Sequence, residues 1–142
     1  MDDQQNPLGL VFLSKRSNRN MSKTIIISAA ILLALAVAIG AFGAHALKEK
    51  LTSDLLDIYK TGVQYHFYHA LGLLLIGVLS LHMPSTLLNW SALLLGLGIV
   101  IFSGSLYVLA ITGIRWIGAI TPIGGLSFIA GWILLFLAML KK

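Results

Sequence analysis

Four long runs of apolar residues, separated by short polar stretches, leave this chain few ways to fold. They cover about Thr24–Leu47, Gln64–Leu81, Trp90–Thr112 and Ala119–Leu140, each 18–24 residues long. Wound as a helix at about 1.5 Å per residue, each run is long enough to cross a bilayer core of ~30 Å. Of the 142 residues, 58% are hydrophobic and 11% charged, where a soluble domain carries about a quarter charged residues. The expected fold class is therefore all-α, an integral membrane four-helix bundle formed as one domain by residues 21–142.

The stretches between the runs refine this picture. Lys48–Lys60 (KEKLTSDLLDIYK) spaces Leu51, Leu55 and Ile58 along one side with charges opposite. That pattern predicts a short amphipathic helix lying in the membrane interface between spans one and two. The connections around Met83–Asn89 and Gly113–Trp116 are short, so neighbouring spans run antiparallel. Thr121 before Pro122 reads as an N-cap with proline at the first helical position. Trp116 then falls in the interfacial aromatic belt.

Residues 1–20 have no long apolar period and read as a flexible N-terminal tail. Met21-Ser22-Lys23 offers a second start directly before the first span, and translation from Met21 is the expectation. A secretory signal, suggested by Lys23, the apolar run and Ala44-His45-Ala46, is set aside. The run exceeds twenty residues, against about 7–15 for a signal core.

The net charge of +5 comes from basic residues at segment ends rather than from a patch, which argues against nucleic acid as a partner. Lys15, Arg16, Arg19, Lys23, Lys141 and Lys142 share one side of the membrane. Lys48, Lys50, Lys60 and Arg115 lie on the other, diluted by Glu49, Asp54 and Asp57. The excess of basic residues on the cytoplasmic side places both termini there, in a multi-pass protein of the plasma (inner) membrane. A start at Met21 leaves three basic residues on the terminal side against four on the other and tips the count slightly the other way. The lipid bilayer is the first expected partner, with self-association or a membrane-protein partner beyond it.

Because lipid supplies no hydrophobic drive between helices, spans meet through small residues. Ala30, Ala34, Ala38 and Ala41 of the first span, continued by His45, fall within roughly 80° of one another on a helix. Ala92, Gly96, Ser103 and Ala110 do the same for the third, and Gly124, Ser127, Gly131 and Ala138 for the fourth. These are the expected packing faces.

Polar side chains concentrate in Thr61–Leu71 (TGVQYHFYHAL). Antiparallel threading brings His45, Gln64, His66, His69, Tyr107, Thr112 and Thr121 to one end of the bundle, the outer one in this topology. His69 and Tyr107 would lie about 7 Å below the boundary, and Ser103 about 13 Å. Ionisable residues inside a membrane mark candidate sites, since burying them is costly without a partner. The candidate ligand-binding residues are His45, Gln64, Tyr65, His69 and Tyr107.

Catalysis is not expected. With no cysteine in the chain, thiolate metal sites and thiol catalysis are excluded. A metal held by His66 and His69 with His45, or haem on His45 and His69, lacks a supporting carboxylate or motif, and no metal or cofactor is assigned. A serine nucleophile at Ser103 or Ser105 has no signature around it. Every acidic residue near the spans (Glu49, Asp54, Asp57) sits in the linker, which disfavours proton-driven cation export. The leading expectation is a non-enzymatic membrane component that binds a partner, lipid or small ligand at the His/Tyr/Gln cluster. The alternative is a small permease or proton-conducting pore using His69 and His45. A metal- or haem-dependent membrane enzyme comes third.

Four motifs in order, GAFGAHAL (Gly40–Leu47), TGVQYHFYHAL (Thr61–Leu71), FSGSLYVLAITG (Phe102–Gly113) and ITPIGG with GW (Ile120–Gly125, Gly131–Trp132), resemble a known family. It is the transmembrane-protein-256-like family of small four-span proteins, whose bacterial members carry a domain-of-unknown-function label. The resemblance covers about Thr24 to Leu140. It implies a four-helix inner-membrane protein and brings no catalytic residue or cofactor with it. His45 and His69 match the family pattern, whereas at His66 that pattern resembles Gln, which makes His66 peripheral. Residues 1–20 exceed the usual short leader.

Overall fold

The computed structural model describes residues 7–141. It forms four helical runs long and apolar enough to cross a membrane: Leu10–Leu47, Ser53–His82, Thr86–Thr112 and Arg115–Leu140. The first comprises α1 (Pro7–Phe42) and a π-turn at Gly43–Leu47. The second is α2 (Ser53–His82). The third joins α3 (Thr86–Gly98) to α4 (Gly104–Thr112) through a π-turn at Ile99–Ser103. A 3-10 turn at Arg115–Ala119 leads into α5 (Thr121–Leu140). The all-α membrane bundle expected from the sequence is what forms.

Local chemistry sets the ends of the elements. Thr52 caps α2 by accepting from the Leu55 amide at 3.4 Å, and Ser85 caps α3 by accepting from the Leu87 amide at 3.3 Å. Gly113, at φ 72°, closes α4 in the left-handed conformation that glycine tolerates. Pro122 falls in the first turn of α5.

Three local expectations change. The stretch read as a flexible tail is helical from Pro7 onward, continuous with the first span, while residues 1–6 lie outside the described residues. The Leu10–Leu47 run of 38 residues would be about 57 Å long, so its first turns extend past a ~30 Å core. The amphipathic stretch keeps its polarity, with Leu55 and Ile58 partly buried and Asp54, Asp57 and Lys60 exposed. It forms the first turns of α2 instead of a separate helix. Thr52 starts that helix, and nothing in Lys60–Gln64 breaks it. Finally, Thr121 does not cap α5. Its hydroxyl is engaged by Ser105 Oγ at 2.8 Å, and Ile120 stands at the cap without a side-chain bond.

Packing follows small residues, as expected, but on a different face of the first span. Ala30, Ala34, Ala38, Ala41 and His45 are exposed. The face that docks on α2 carries Ala29, Ala36 and Gly43, spaced by seven and all buried. Seven residues are close to two turns, so this row stays against a nearly parallel partner. The choice is made by α2. A side-chain carbon at Gly43 would collide with the Tyr59 ring, and one at Gly77 would lie 2.7 Å from Ile26. At both positions the two helices are in direct contact.

On the other side, Gly124, Gly131 and Ala138 of α5 are buried at the same seven-residue interval. Ser91 donates to the Gly131 carbonyl and Ser127 to the Leu94 carbonyl, each at 2.7 Å. These reciprocal bonds hold α3 and α5 at close range. Of the third-span face, Ala92, Ser103 and Ala110 are buried, while Gly96 borders open space. The main core gathers Ile25, Ala29, Leu73, Ile76, Leu88, Leu95, Ile99 and Phe128. A smaller core of Leu47, Tyr59 and Ala110 lies at the end bearing the first loop, with Ile39, Val63 and Tyr107 packed around it.

Candidate functional site

The smaller core contains a buried polar column. Tyr59, in the second turn of α2, is 3% exposed, and its hydroxyl donates to the Ile39 carbonyl of α1 at 2.8 Å. Its ring lies 5.2 Å from that of Tyr107 on α4, tilted by 48°. Tyr107 in turn places its hydroxyl 3.2 Å from His66 Nδ1. His66 is 4% exposed. Its Nε2 is buried and has no hydrogen-bond partner among the described residues. The column thus ties α1, α2 and α4 together. Gly62 admits it, since a side-chain carbon there would lie 2.9 Å from the Tyr107 ring.

His66, set aside from the sequence, is therefore the histidine that meets Tyr107. Tyr59 was also missed, because it was placed in a surface linker. Both were legible in one respect: they are seven apart, and so share a face of any helix that contains them.

His69 belongs to a different environment. Its Nδ1 lies 2.7 Å from the Tyr65 carbonyl. A carbonyl only accepts, so Nδ1 carries a proton, and in the neutral ring Nε2 keeps its lone pair. The imidazole stacks on Phe128 of α5 at 3.4 Å and lies 6.0 Å from the Trp132 ring. Tyr65, partly exposed, stacks on Phe102 at 4.5 Å. His66 and His69 consequently turn to different helices, and the H-x-x-H pair does not converge on one point.

The remaining candidates lie further out. Gln64 is exposed and donates to the Tyr68 hydroxyl at 2.8 Å within its own helix. His45 is exposed on the first π-turn, and among the described residues no hydrogen bond joins it to His69 or Tyr107. Thr112 bonds the Val108 carbonyl at 2.7 Å.

Beside the column, the last turns of the first span and the first turns of α2 border a groove of about 510 Å³. Gly40, Gly43, Ala44 and Lys48 form one wall, and Leu56, Tyr59, Lys60, Val63 and Gln64 the other. Two glycines and an alanine leave the first wall bare. The π-turn widens the backbone there, a local distortion often found at functional sites. Lys60 is bonded to Asp57 at 3.0 Å on the surface.

Comparison with known proteins identifies the family. A family model described as a protein of unknown function (DUF423) matches residues 39–125, the stretch that holds the groove and the column. A UPF0382 membrane protein of Staphylococcus haemolyticus is 50% identical over 119 residues, covering 84% of this chain and 97% of the relative. One of Bacillus subtilis is 47% identical over 123 residues, covering 84% of this chain and 98% of the relative. No solved structure matches. The family expected from the four motifs is the one found, and four membrane-crossing helices fit its relatives' description as membrane proteins. This chain belongs to the DUF423 family of membrane proteins.

Proposed function

We propose that this chain is a non-enzymatic component of the plasma membrane, both termini cytoplasmic, that binds a ligand in the groove between the first span and α2. The observation that carries this reading is the groove's fixed floor. Tyr59 is held from below by the Ile39 carbonyl and from the side by Tyr107, itself bonded to His66. A site built on locked side chains costs a ligand little ordering. The volume falls in the range of roughly 300–1,000 Å³ common to small-molecule sites. Gln64 and two lysines offer polar contacts along a largely apolar wall.

The test is native mass spectrometry of the full chain extracted in mild detergent, beside Ala44→Trp. Ala44 is exposed and lines the groove, so tryptophan there fills the space without entering the core. A bound mass on the wild-type chain that Ala44→Trp loses, at equal thermal stability, supports the reading. The bare mass for both chains, or the same adduct on both, sinks it.

A further inference from the structure

Polarity along the groove is graded. Lys48 and Lys60 stand at its mouth, at the end of the first span and in the second turn of α2. Gln64 lies one turn further in. Gly40, two turns below Lys48 and so about 12 Å deeper, faces only Val63, whose methyl would lie 3.3 Å from an added side-chain carbon. Leu56, Val63, Gly43 and Ala44 complete an apolar wall. Among the described residues, no carboxylate lines the groove. Glu49, Asp54 and Asp57 are all exposed outside it, and Asp57 shares Lys60.

A site that is cationic at the membrane surface and apolar toward the bilayer core has the charge order of an anionic amphiphile. We infer that the ligand is a phospholipid with a net negative headgroup, its phosphate at Lys48 and Lys60 and one acyl chain along Gly43, Gly40 and Val63. This deepens the ligand-binding reading above and rests on it. A lysine near a membrane surface favours anionic over neutral lipid.

The experiment titrates the delipidated full chain in detergent with phosphatidylglycerol, phosphatidylcholine, diacylglycerol or inorganic phosphate, and reads occupancy by native mass spectrometry. Phosphatidylglycerol should bind about tenfold better than phosphatidylcholine, the scale set by two lysines of which one is shared with Asp57. Lys48→Gln with Lys60→Gln should bring the two lipids level. Asp57→Asn, which releases Lys60, should hold or raise phosphatidylglycerol occupancy. Equal binding of the charged and neutral lipids overturns the inference while the groove stands as a ligand site. No bound lipid, with Ala44→Trp indistinguishable from wild type, overturns both. Full competition by inorganic phosphate would make the site one for free anions, and a dimer broken by Ala44→Trp would give the groove to a second copy. Either result ends the lipid assignment.

Discussion

The Tyr107 hydroxyl and His66 Nδ1, 3.2 Å apart and 41 residues apart in sequence, join α4 to α2 inside the bundle. Removing the hydroxyl should leave Nδ1 buried without a partner. Such a loss costs about 1–3 kcal/mol in soluble proteins, whereas interhelical bonds in membranes average about 0.6. Tyr107→Phe is expected to lower stability by about 1 kcal/mol in detergent unfolding. His66→Gln, which keeps a donor and an acceptor, should lose less than His66→Leu. Equal stability of all three variants with wild type would show the bond to be idle.

Tyr59→Phe removes one hydrogen bond to the Ile39 carbonyl and keeps the ring that Gly43 packs against. The expected loss is about 0.5–1.5 kcal/mol. Thermal unfolding of the purified protein checks it, and a rise in stability would contradict the packing described.

Glycine positions separate sharply. A side-chain carbon at Gly124 would run into the Phe102 backbone, which cannot rotate aside, whereas one at Gly104 meets nothing within 4 Å. Gly124→Ala is therefore expected to destabilise by about 1–3 kcal/mol. Gly104→Ala should be neutral or stabilising by up to about 1 kcal/mol, since alanine is the better helix former. Comparing the two melting temperatures decides the point.

The first span offers two small-residue rows, and only one docks on α2. Ala36→Leu, in the buried row, should destabilise by about 1–3 kcal/mol through overpacking. Ala34→Leu, in the exposed row, should leave unfolding unchanged within about 0.5 kcal/mol. The reverse ranking would mean that α1 is turned the other way.

Those two rows also show what could be read from the residues. The four spans and their short connections were legible because length and apolar content alone specify a membrane helix. The docking face of the first span was not. Ala30–Ala34–Ala38–Ala41 and Ala29–Ala36–Gly43 are both plausible packing rows, and the choice depends on Tyr59 and Gly77 of the partner helix. His69 and Tyr107 were legible as membrane-embedded polar groups, yet their partners were not. His69 bonds its own backbone and stacks on Phe128, and Tyr107 takes His66 instead. The π-turns left no trace, because IVIFS and GAHAL contain residues that regular helices also accept.

The π-turn at Ile99–Ser103 sets the phase between two halves of one membrane crossing. Its lower half, α3, is matched mainly to α5, and its upper half, α4, to α2. The turn absorbs one residue more than an α-helical turn over nearly the same rotation, so rewinding it as α-helix at unchanged length would swing everything after it by about 100°. Tyr107 and Ala110 would then leave α2 while Ser91 kept its hold on Gly131. Rewinding at full length would thus erase the polar column without removing one polar side chain, whereas deleting one residue from the turn would keep the phase. The extra residue works as a coupling that lets one rod serve two partners pointing in different directions.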